Sequence, residues 1–239
     1  MIRIRQADIR QAEGDDVRGR GTGRPERPVH PALPPALRTW LGLVAGLAAL
    51  VVAVLGVCYA DHHRPGAADA WIRSAVVGPQ PRGLSVALDL DAMGEPTGAV
   101  TLVVAVVLVC LLLRRPRAAV LAAAGTGLAV VSTSLLKHVV GRTINGANLS
   151  YPSGHTAFAT ALALVVALLA AEWLGALAGG LLVLTAALVA GAAMGWAQVA
   201  LDAHYPTDVL GGWCAALAVV PATAWLVDRT IDFGRRERR

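Results

Sequence analysis

Long apolar runs alternate with short polar stretches along most of the chain. The runs cover residues 41–60, 98–113, 118–137, 156–171, 177–196 and 209–227. A bilayer core about 30 Å thick needs roughly 20 helical residues to cross it, and lipid excludes backbone that does not satisfy its own hydrogen bonds. The pattern therefore predicts an all-α fold, a bundle of six transmembrane helices within residues 40–228.

The segments outside these runs have different compositions. Residues 1–39 carry eight arginines among glycines, prolines and acids, which predicts a disordered basic tail. No apolar core stands close to Met1, so no cleaved leader is expected. Residues 61–95 are of mixed polarity and are predicted to form a loop, with a short interfacial helix near residues 68–77. Residues 229–239 form a second basic tail.

The distribution of arginine predicts the orientation in the membrane. Under the six-helix topology, sixteen arginines lie in the two tails and in residues 114–117, against four in the other loops. Positive residues remain on the cytoplasmic side, so both termini are predicted to be cytoplasmic, in a multi-pass protein of the cytoplasmic membrane. With 56% hydrophobic and 15% charged residues, an ordinary soluble domain is excluded. The basic residues follow no folded face, which argues against nucleic acid as a partner.

The three cysteines, Cys58, Cys110 and Cys214, each lie inside an apolar run. They are predicted to be small buried hydrophobes, with neither a disulfide framework nor a cysteine-rich metal site.

Three polar stretches interrupt this apolar pattern, at residues 137–145, 150–156 and 198–208. In the predicted topology all three open on the extracytoplasmic face. Our hypothesis is that they meet there and form a phosphate site.

Two cations belong to the first stretch. Lys137 is the single lysine of the chain, and Arg142 follows Gly141. Arginine engages phosphate bidentately and lysine supplies a compact charge, so both are candidate ligands of a phosphate. Alternatively, Lys137 is an interfacial cation whose stem lies in lipid.

The second stretch contains Pro152–Thr156, at the start of the fourth run. Free backbone N–H groups at a helix N-terminus favour an anion. Ser153 can donate its hydroxyl, Gly154 allows close approach of the backbone, and His155 can transfer a proton. A plain helix cap would explain Ser153 but not His155.

The third stretch contains His204 and Asp208. A spacing of four residues places both side chains on one face of a helical turn. The carboxylate can then hold one imidazole nitrogen as N–H and leave the other free to attack. A purely structural His–Asp pair is the alternative.

Together these residues predict a phosphoryl-transfer mechanism. Lys137, Arg142, Ser153 and the Gly154 amide would bind the phosphate oxygens. His204 would attack phosphorus to form a phosphohistidine, and His155 would protonate the leaving alcohol and then activate water. No metal-ligand cluster accompanies them in the sequence, so a route without metal or other cofactor is preferred.

The three stretches resemble the motifs of the type-2 phosphatidic acid phosphatase superfamily, which are Lys-x6-Arg-Pro, Pro-Ser-Gly-His and Ser-Arg-x5-His-x3-Asp. The second is intact as Pro152–His155, and the third keeps His204 and Asp208. The resemblance covers about residues 118–227. It implies a helical bundle with an outward site, with His204 as nucleophile, Asp208 as its orienting partner and His155 as acid and base.

The chain departs from these motifs at the two arginines. Ile144 and Asn145 stand at the Arg-Pro positions, and Ala197 and Gln198 stand at the Ser-Arg positions. Arg142 matches an additional arginine often seen after the glycine of the first motif. Gln198 can donate hydrogen bonds from its amide, but it carries no charge.

Three functions are compatible with this pattern. The first is hydrolysis of a membrane lipid phosphate: a polyprenyl phosphate or diphosphate, a phosphatidate-like lipid or a polyprenyl-linked sugar phosphate. The second is phosphotransfer from the same histidine to an acceptor held by residues 61–95. The third is a non-catalytic lipid-binding subunit. The sequence leaves the lipid and the oligomeric state open.

Overall fold

In the computed structural model of the protein, residues 30–77, 83–146 and 148–237 are described. These ranges contain eight α-helices: α1 Arg38–Cys58, α2 Ala67–Val76, α3 Leu84–Gly94, α4 Pro96–Leu112, α5 Pro116–Val140, α6 Gly154–Ala171, α7 Ala176–Ala200 and α8 Pro206–Arg236. A 3-10 turn, Pro35–Leu37, precedes α1. The strands Thr143–Ile144 (β1) and Asn148–Leu149 (β2) pair antiparallel between α5 and α6.

The predicted bundle of transmembrane helices is confirmed, with one span of unexpected form. By length and hydropathy, α1, α5, α6, α7 and α8 can each cross a bilayer, and α3 with α4 qualifies as one span bent by 67°. Residues 84–94, predicted as loop, are thus helical. The bend follows from Pro96 at the first position of α4, because proline has no N–H to continue α3 and forces Glu95 into extended backbone. The interfacial helix expected near residues 68–77 is α2.

Small residues allow the helices to pack closely. α6 contacts α5, α7 and α8, and α1 packs on α8. On α7, a Cβ added at Gly191 or Gly195 would lie 2.2 Å from Trp213 or Val209 of α8. Such contacts matter in a bilayer, where helices associate by close packing rather than by the hydrophobic effect. Cys110 and Cys214 are buried as expected, whereas Cys58 is exposed on the outer surface of α1.

Asp228 of α8 stabilises the end of the bundle at which α1 begins and α8 ends. Its carboxylate accepts hydrogen bonds from the backbone N–H groups of Ala32 and Leu33 and from Arg117 of α5. Residues 31–37 are therefore packed against the bundle, although they fall within the predicted tail. Residues 1–29 of that tail lie outside the described residues. α8 continues to Arg236, so most of the second predicted tail is helical.

Candidate active site

The three polar stretches meet at the opposite end of the bundle. The Ser153 N–H at the start of α6 donates to the carbonyl of Asp208 in α8, at 2.9 Å. The side chain of Asn145, after β1, donates to the carbonyl of Asp202 in the α7–α8 loop, at 2.8 Å. Hydrogen bonds thus join the first stretch to the third, and the third to the second.

His204 and Asp208 lie at the start of α8. Nδ1 of His204 is 3.8 Å from Oδ2 of Asp208, and the same oxygen accepts the Tyr205 N–H at 2.9 Å. That second contact fixes the carboxylate, because it caps the first turn of the helix. Since Nδ1 faces the carboxylate, Nε2 is the nitrogen available for attack.

The surroundings of His204 favour its neutral form. Burial lowers the pKa of His204, and the charges of Lys137 and His155 lower it further, while Asp208 opposes the shift. Nδ1 is buried and makes no hydrogen bond within the described residues. A neutral imidazole next to a carboxylate is the protonation state that a nucleophile requires.

Ser153, Gly154 and His155 form the N-terminus of α6. Ser153 is the buried N-cap, and its Oγ accepts from the backbone N–H and the hydroxyl of Thr156, at 3.4 and 3.0 Å. Its own hydroxyl proton remains available for a ligand. Close to this turn, a Cβ at Gly212 of α8 would lie 2.2 Å from the Ser153 carbonyl. Two helices therefore approach closely where the predicted phosphate site lies.

The bend between α3 and α4 brings two carboxylates to His155. Oδ1 of Asp91 and Oε1 of Glu95 lie 3.5 and 3.6 Å from Nε2 of His155. Gly94, at the bend, packs so tightly that an added Cβ would lie 2.2 Å from the imidazole ring. The predicted acid/base is thus held by a segment that the sequence suggested was a loop.

Gln198, at the position of a motif arginine, points towards the carboxylates beside His155. The side chain is buried, and Nε2 donates to Oδ1 of Asp91 at 2.7 Å. Its backbone carbonyl accepts from the N–H groups of Ala203 and His204. The residue therefore connects the loop that carries His204 with the carboxylate next to His155.

Lys137 is half-buried in the last turn of α5. It makes no ion pair within residues 30–77, 83–146 and 148–237. Its charge is close enough to His204 to affect the pKa of that imidazole. Lys137 is therefore placed where an uncommitted cation is useful to a bound phosphate.

Arg142, predicted to bind phosphate, is occupied by protein carboxylates. It is fully buried, and its two terminal nitrogens lie 2.6 Å from Asp69 and from Asp208. The guanidinium is enclosed by the rings of Tyr59 and Tyr205, at 4.0 and 4.5 Å from their centroids. In this arrangement Arg142 supports Asp208 and presents no open face to a ligand.

The other departures from the motifs have local structural reasons. Ile144 is buried in the β1–β2 hairpin. Asn145 has a φ of 48°, which proline cannot adopt because its ring fixes φ near −65°. Asparagine tolerates this left-handed conformation. The Arg-Pro pair of the motif is thus replaced by a different turn.

Asp91, Glu95 and His155 could hold a cation. One ligating atom from each lies within 4.8 Å of the other two, and carboxylate with imidazole suits a transition metal. His155 is also the predicted acid/base, and Asp91 and Glu95 are the carboxylates beside it.

A multi-pass helical membrane protein with two histidines and an aspartate gathered at one end of the bundle is the class that this fold and site define. The chain belongs to the PAP2 superfamily, whose profile matches residues 37–232. Membership supports phosphatase activity. No curated protein sequence matches the chain significantly.

One solved structure with a similar fold is the crystal structure described as the first transmembrane PAP2-type phosphatidylglycerolphosphate phosphatase from Bacillus subtilis. The two chains are 22% identical, the TM-score is 0.62, and the match covers 79% of this chain and 96% of that one. At this level of identity the likeness establishes the fold.

From the sequence we assigned no role to Asp69, and we considered residues 61–95 only as a possible site for an acceptor. Asp69 is fully buried against Arg142, and Asp91 and Glu95 flank His155. One feature of the sequence could have indicated a role for these residues. Asp69, Asp91 and Glu95 lie in a loop between two predicted spans that is short enough to keep its carboxylates at the membrane surface.

Proposed function

We propose that this chain is a lipid phosphate phosphohydrolase that acts without metal through a phosphohistidine on His204. The observation that carries the proposal is the convergence of His204, Asp208 and His155 at the N-termini of α6 and α8. Helix N-termini attract anions, and two imidazoles of different surroundings can divide the roles of nucleophile and acid.

In the first step, Nε2 of His204 forms a bond to phosphorus while the bond from phosphorus to the lipid oxygen breaks. The leaving oxygen takes a proton from His155. Asp208 stabilises the positive charge that develops on His204. Lys137, the Ser153 hydroxyl and the Gly154 N–H bind the oxygens of the transferred group.

In the second step, water attacks the phosphorus of the phosphohistidine. His155, now neutral, accepts the proton of the water, and the N–P bond breaks to release inorganic phosphate. Both histidines return to their starting protonation states. No redox chemistry or co-substrate other than water is required.

An apolar groove supports a lipid as the substrate. A cavity of about 580 Å³ lies between α4, α5 and α6, and it reaches Gly154 and His155 at one end and Val104 and Ala123 at the other. From Pro96 to Val104 it follows α4 for about 12 Å at 1.5 Å per residue. A lipid tail in this groove would place its phosphate next to His155.

The small number of free cations bears on the choice of lipid. Arg142 is committed to carboxylates, Gln198 is neutral, and Lys137 carries the remaining charge of the predicted set. A head group with few negative charges therefore suits this site better than a highly charged one. Polyprenyl phosphates and diphosphates, phosphatidate-like lipids and polyprenyl-linked sugar phosphates remain the substrate classes, at the extracytoplasmic face of the cytoplasmic membrane.

The test is phosphate release by the purified protein in detergent, with chelator present, from one lipid of each class. His204→Ala is compared with the wild type, and acid-stable and base-stable phosphoprotein are distinguished after rapid quenching. We expect release that depends on His204 and survives chelator, with base-stable label on the wild type. No His204-dependent release from any class would overturn the proposal.

A second candidate is phosphotransfer to an alcohol, favoured by the position of Asp91 and Glu95. Carboxylates accept hydrogen bonds from hydroxyl groups, so both could hold an acceptor next to His155. The two functions share the phosphohistidine and differ in what attacks it. Phosphorylated acceptor in place of inorganic phosphate, when a lipid alcohol is supplied, would identify the transferase.

A further inference from the structure

A chain of buried charges runs from the α2 segment to His204. Asp69 of α2, Arg142 and Asp208 are all fully buried. The terminal nitrogens of Arg142 bridge the two carboxylates at 2.6 Å on each side, and Asp208 faces His204. The order is Asp69, Arg142, Asp208, His204.

Asp69 is fixed at several points. Oδ1 accepts the backbone N–H of Thr207 at 2.9 Å, and Oδ2 accepts the Thr207 hydroxyl at 3.0 Å and the Gly66 N–H at 3.2 Å. Thr207 lies in the first turn of α8, whose N–H groups have no partner within the helix. Asp69 therefore fastens the turn that carries Asp208 and also holds Arg142.

The charges of this chain determine what Asp208 can do for His204. Arg142 next to Asp208 alone would neutralise much of the negative charge that His204 needs as it becomes cationic. Asp69 shares the guanidinium, and the three groups together keep a net charge of −1. In a buried setting this balance acts strongly, because screening by water is weak.

We propose that Asp69 is a positioning residue for the reaction, acting through Arg142 to keep Asp208 oriented and negative towards His204. The inference depends on the proposed role of His204 as nucleophile. It assigns α2, a helix outside the three motifs, a part in setting the reactivity of the site.

The experiment compares Asp69→Asn with the wild type and with Asp89→Asn. Asn is close to isosteric; it removes the charge and replaces one acceptor oxygen with an NH2 group. Asp89, an exposed carboxylate of α3, serves as the matched control. The measurements are kcat and KM across pH on the preferred substrate and the thermal unfolding midpoint. Asp69→Glu is the variant that restores charge.

For Asp69→Asn we expect kcat to fall about tenfold with little change in KM, since Asp69 does not touch the phosphate. The acid limb of kcat/KM should move to lower pH by about one unit, because Arg142 then weakens the influence of Asp208. The other charges facing His204 are Lys137 and His155, which are unchanged. Asp69→Glu should return the acid limb towards its wild-type position.

Two results separate this inference from the proposed function. If His204→Ala abolishes turnover while Asp69→Asn loses only stability and keeps the wild-type acid limb, Asp69 is merely structural and the inference is overturned. If Asp69→Asn does not fold, Asp69→Ser, which also removes the charge, replaces it in the comparison, and an unshifted acid limb with unchanged kcat in that variant overturns the inference as well. Turnover that is independent of His204 removes the proposed function itself.

Discussion

Gln198 donates a hydrogen bond from Nε2 to Oδ1 of Asp91, at 2.7 Å. The position at which the superfamily motif has an arginine thus pairs with a carboxylate, and that carboxylate lies 3.5 Å from Nε2 of His155. A neutral amide and an acid stand beside the proposed acid/base.

This pairing determines how charge can be restored. Gln198→Arg alone should change KM little, because the new guanidinium would pair with Asp91. Gln198→Arg combined with Asp91→Asn should lower KM for a phosphate monoester about tenfold, the difference between a charge-assisted and a neutral hydrogen bond. Initial rates on a short-chain soluble lipid phosphate measure this. An equal gain from Asp91→Asn alone would show that loss of the acid, and not the new cation, is responsible.

The apolar groove predicts a separation between long and short substrates. A Cβ at Gly127 meets nothing within 4 Å, so Gly127→Leu should place its side chain in the groove without disturbing the fold. We expect KM for a long-chain lipid phosphate to rise about tenfold, the loss of roughly 1.4 kcal/mol of tail burial, with KM for a short-chain analogue unchanged. Gly46→Leu on α1, where a Cβ also meets nothing, is the control. Equal effects on both substrates would exclude a tail in this groove.

The pKa of His204 predicts the acid side of the rate profile. Burial lowers this pKa below its ordinary value of about 6.5. The neutral imidazole is the nucleophile, so kcat/KM should rise with pH through the lowered pKa and become level at a lower pH than an unperturbed histidine would give. The free energy of unfolding should fall as pH drops below about 6.5, because His204 then binds a proton in the unfolded chain but not in the folded protein. Unfolding midpoints of the wild type and His204→Gln measure this, and an equally steep loss in both would contradict it.

Much of this architecture follows from the apolar pattern. Runs of 16–20 residues with few charges have one stable form in a bilayer, so five spans and the order of the polar stretches could be predicted. The bent span could not, because residues 84–94 mix Asp89 and Asp91 with apolar side chains and read as a loop. Their packing on α7, which stabilises them as a helix, is not visible in the local sequence.

The site likewise contains relationships that could be predicted from the sequence and others that could not. Spacing alone placed His204 with Asp208 and His155 at a helix start, because these relationships are local in the chain. The partners of Arg142 are 73 and 66 residues away, and no local pattern reports such pairing. A cation next to a phosphate motif looks the same in sequence whether it faces a ligand or a buried carboxylate.

Substitutions in the Asp228 cluster, at the other end of the bundle, are expected to change stability but not activity. Asp228 is buried and bonds Arg117 and two backbone N–H groups, so Asp228→Ala should leave Arg117 partly uncompensated and cost about 3 kcal/mol. Asp232, whose side chain is 53% exposed, should cost less than about 1 kcal/mol when changed to Ala. Denaturant unfolding in detergent measures both. Because the cluster lies far from His204, turnover per folded molecule should stay at the wild-type value in both variants.

The cluster of Asp91, Glu95 and His155 predicts inhibition by a transition metal. Their ligating atoms lie within 4.8 Å of one another, and Zn²⁺ binds imidazole and carboxylate together. A bound ion would occupy Nε2 of His155 and remove the proton donor of the leaving group, so Zn²⁺ should inhibit turnover and chelator should restore it. Asp91→Asn combined with Glu95→Gln should raise the half-inhibitory Zn²⁺ concentration at least tenfold, whereas Asp89→Asn should leave it unchanged. Activity that instead disappears with chelator and returns with metal would mean that the cluster holds a catalytic ion, and the metal-free route through His204 would have to be abandoned.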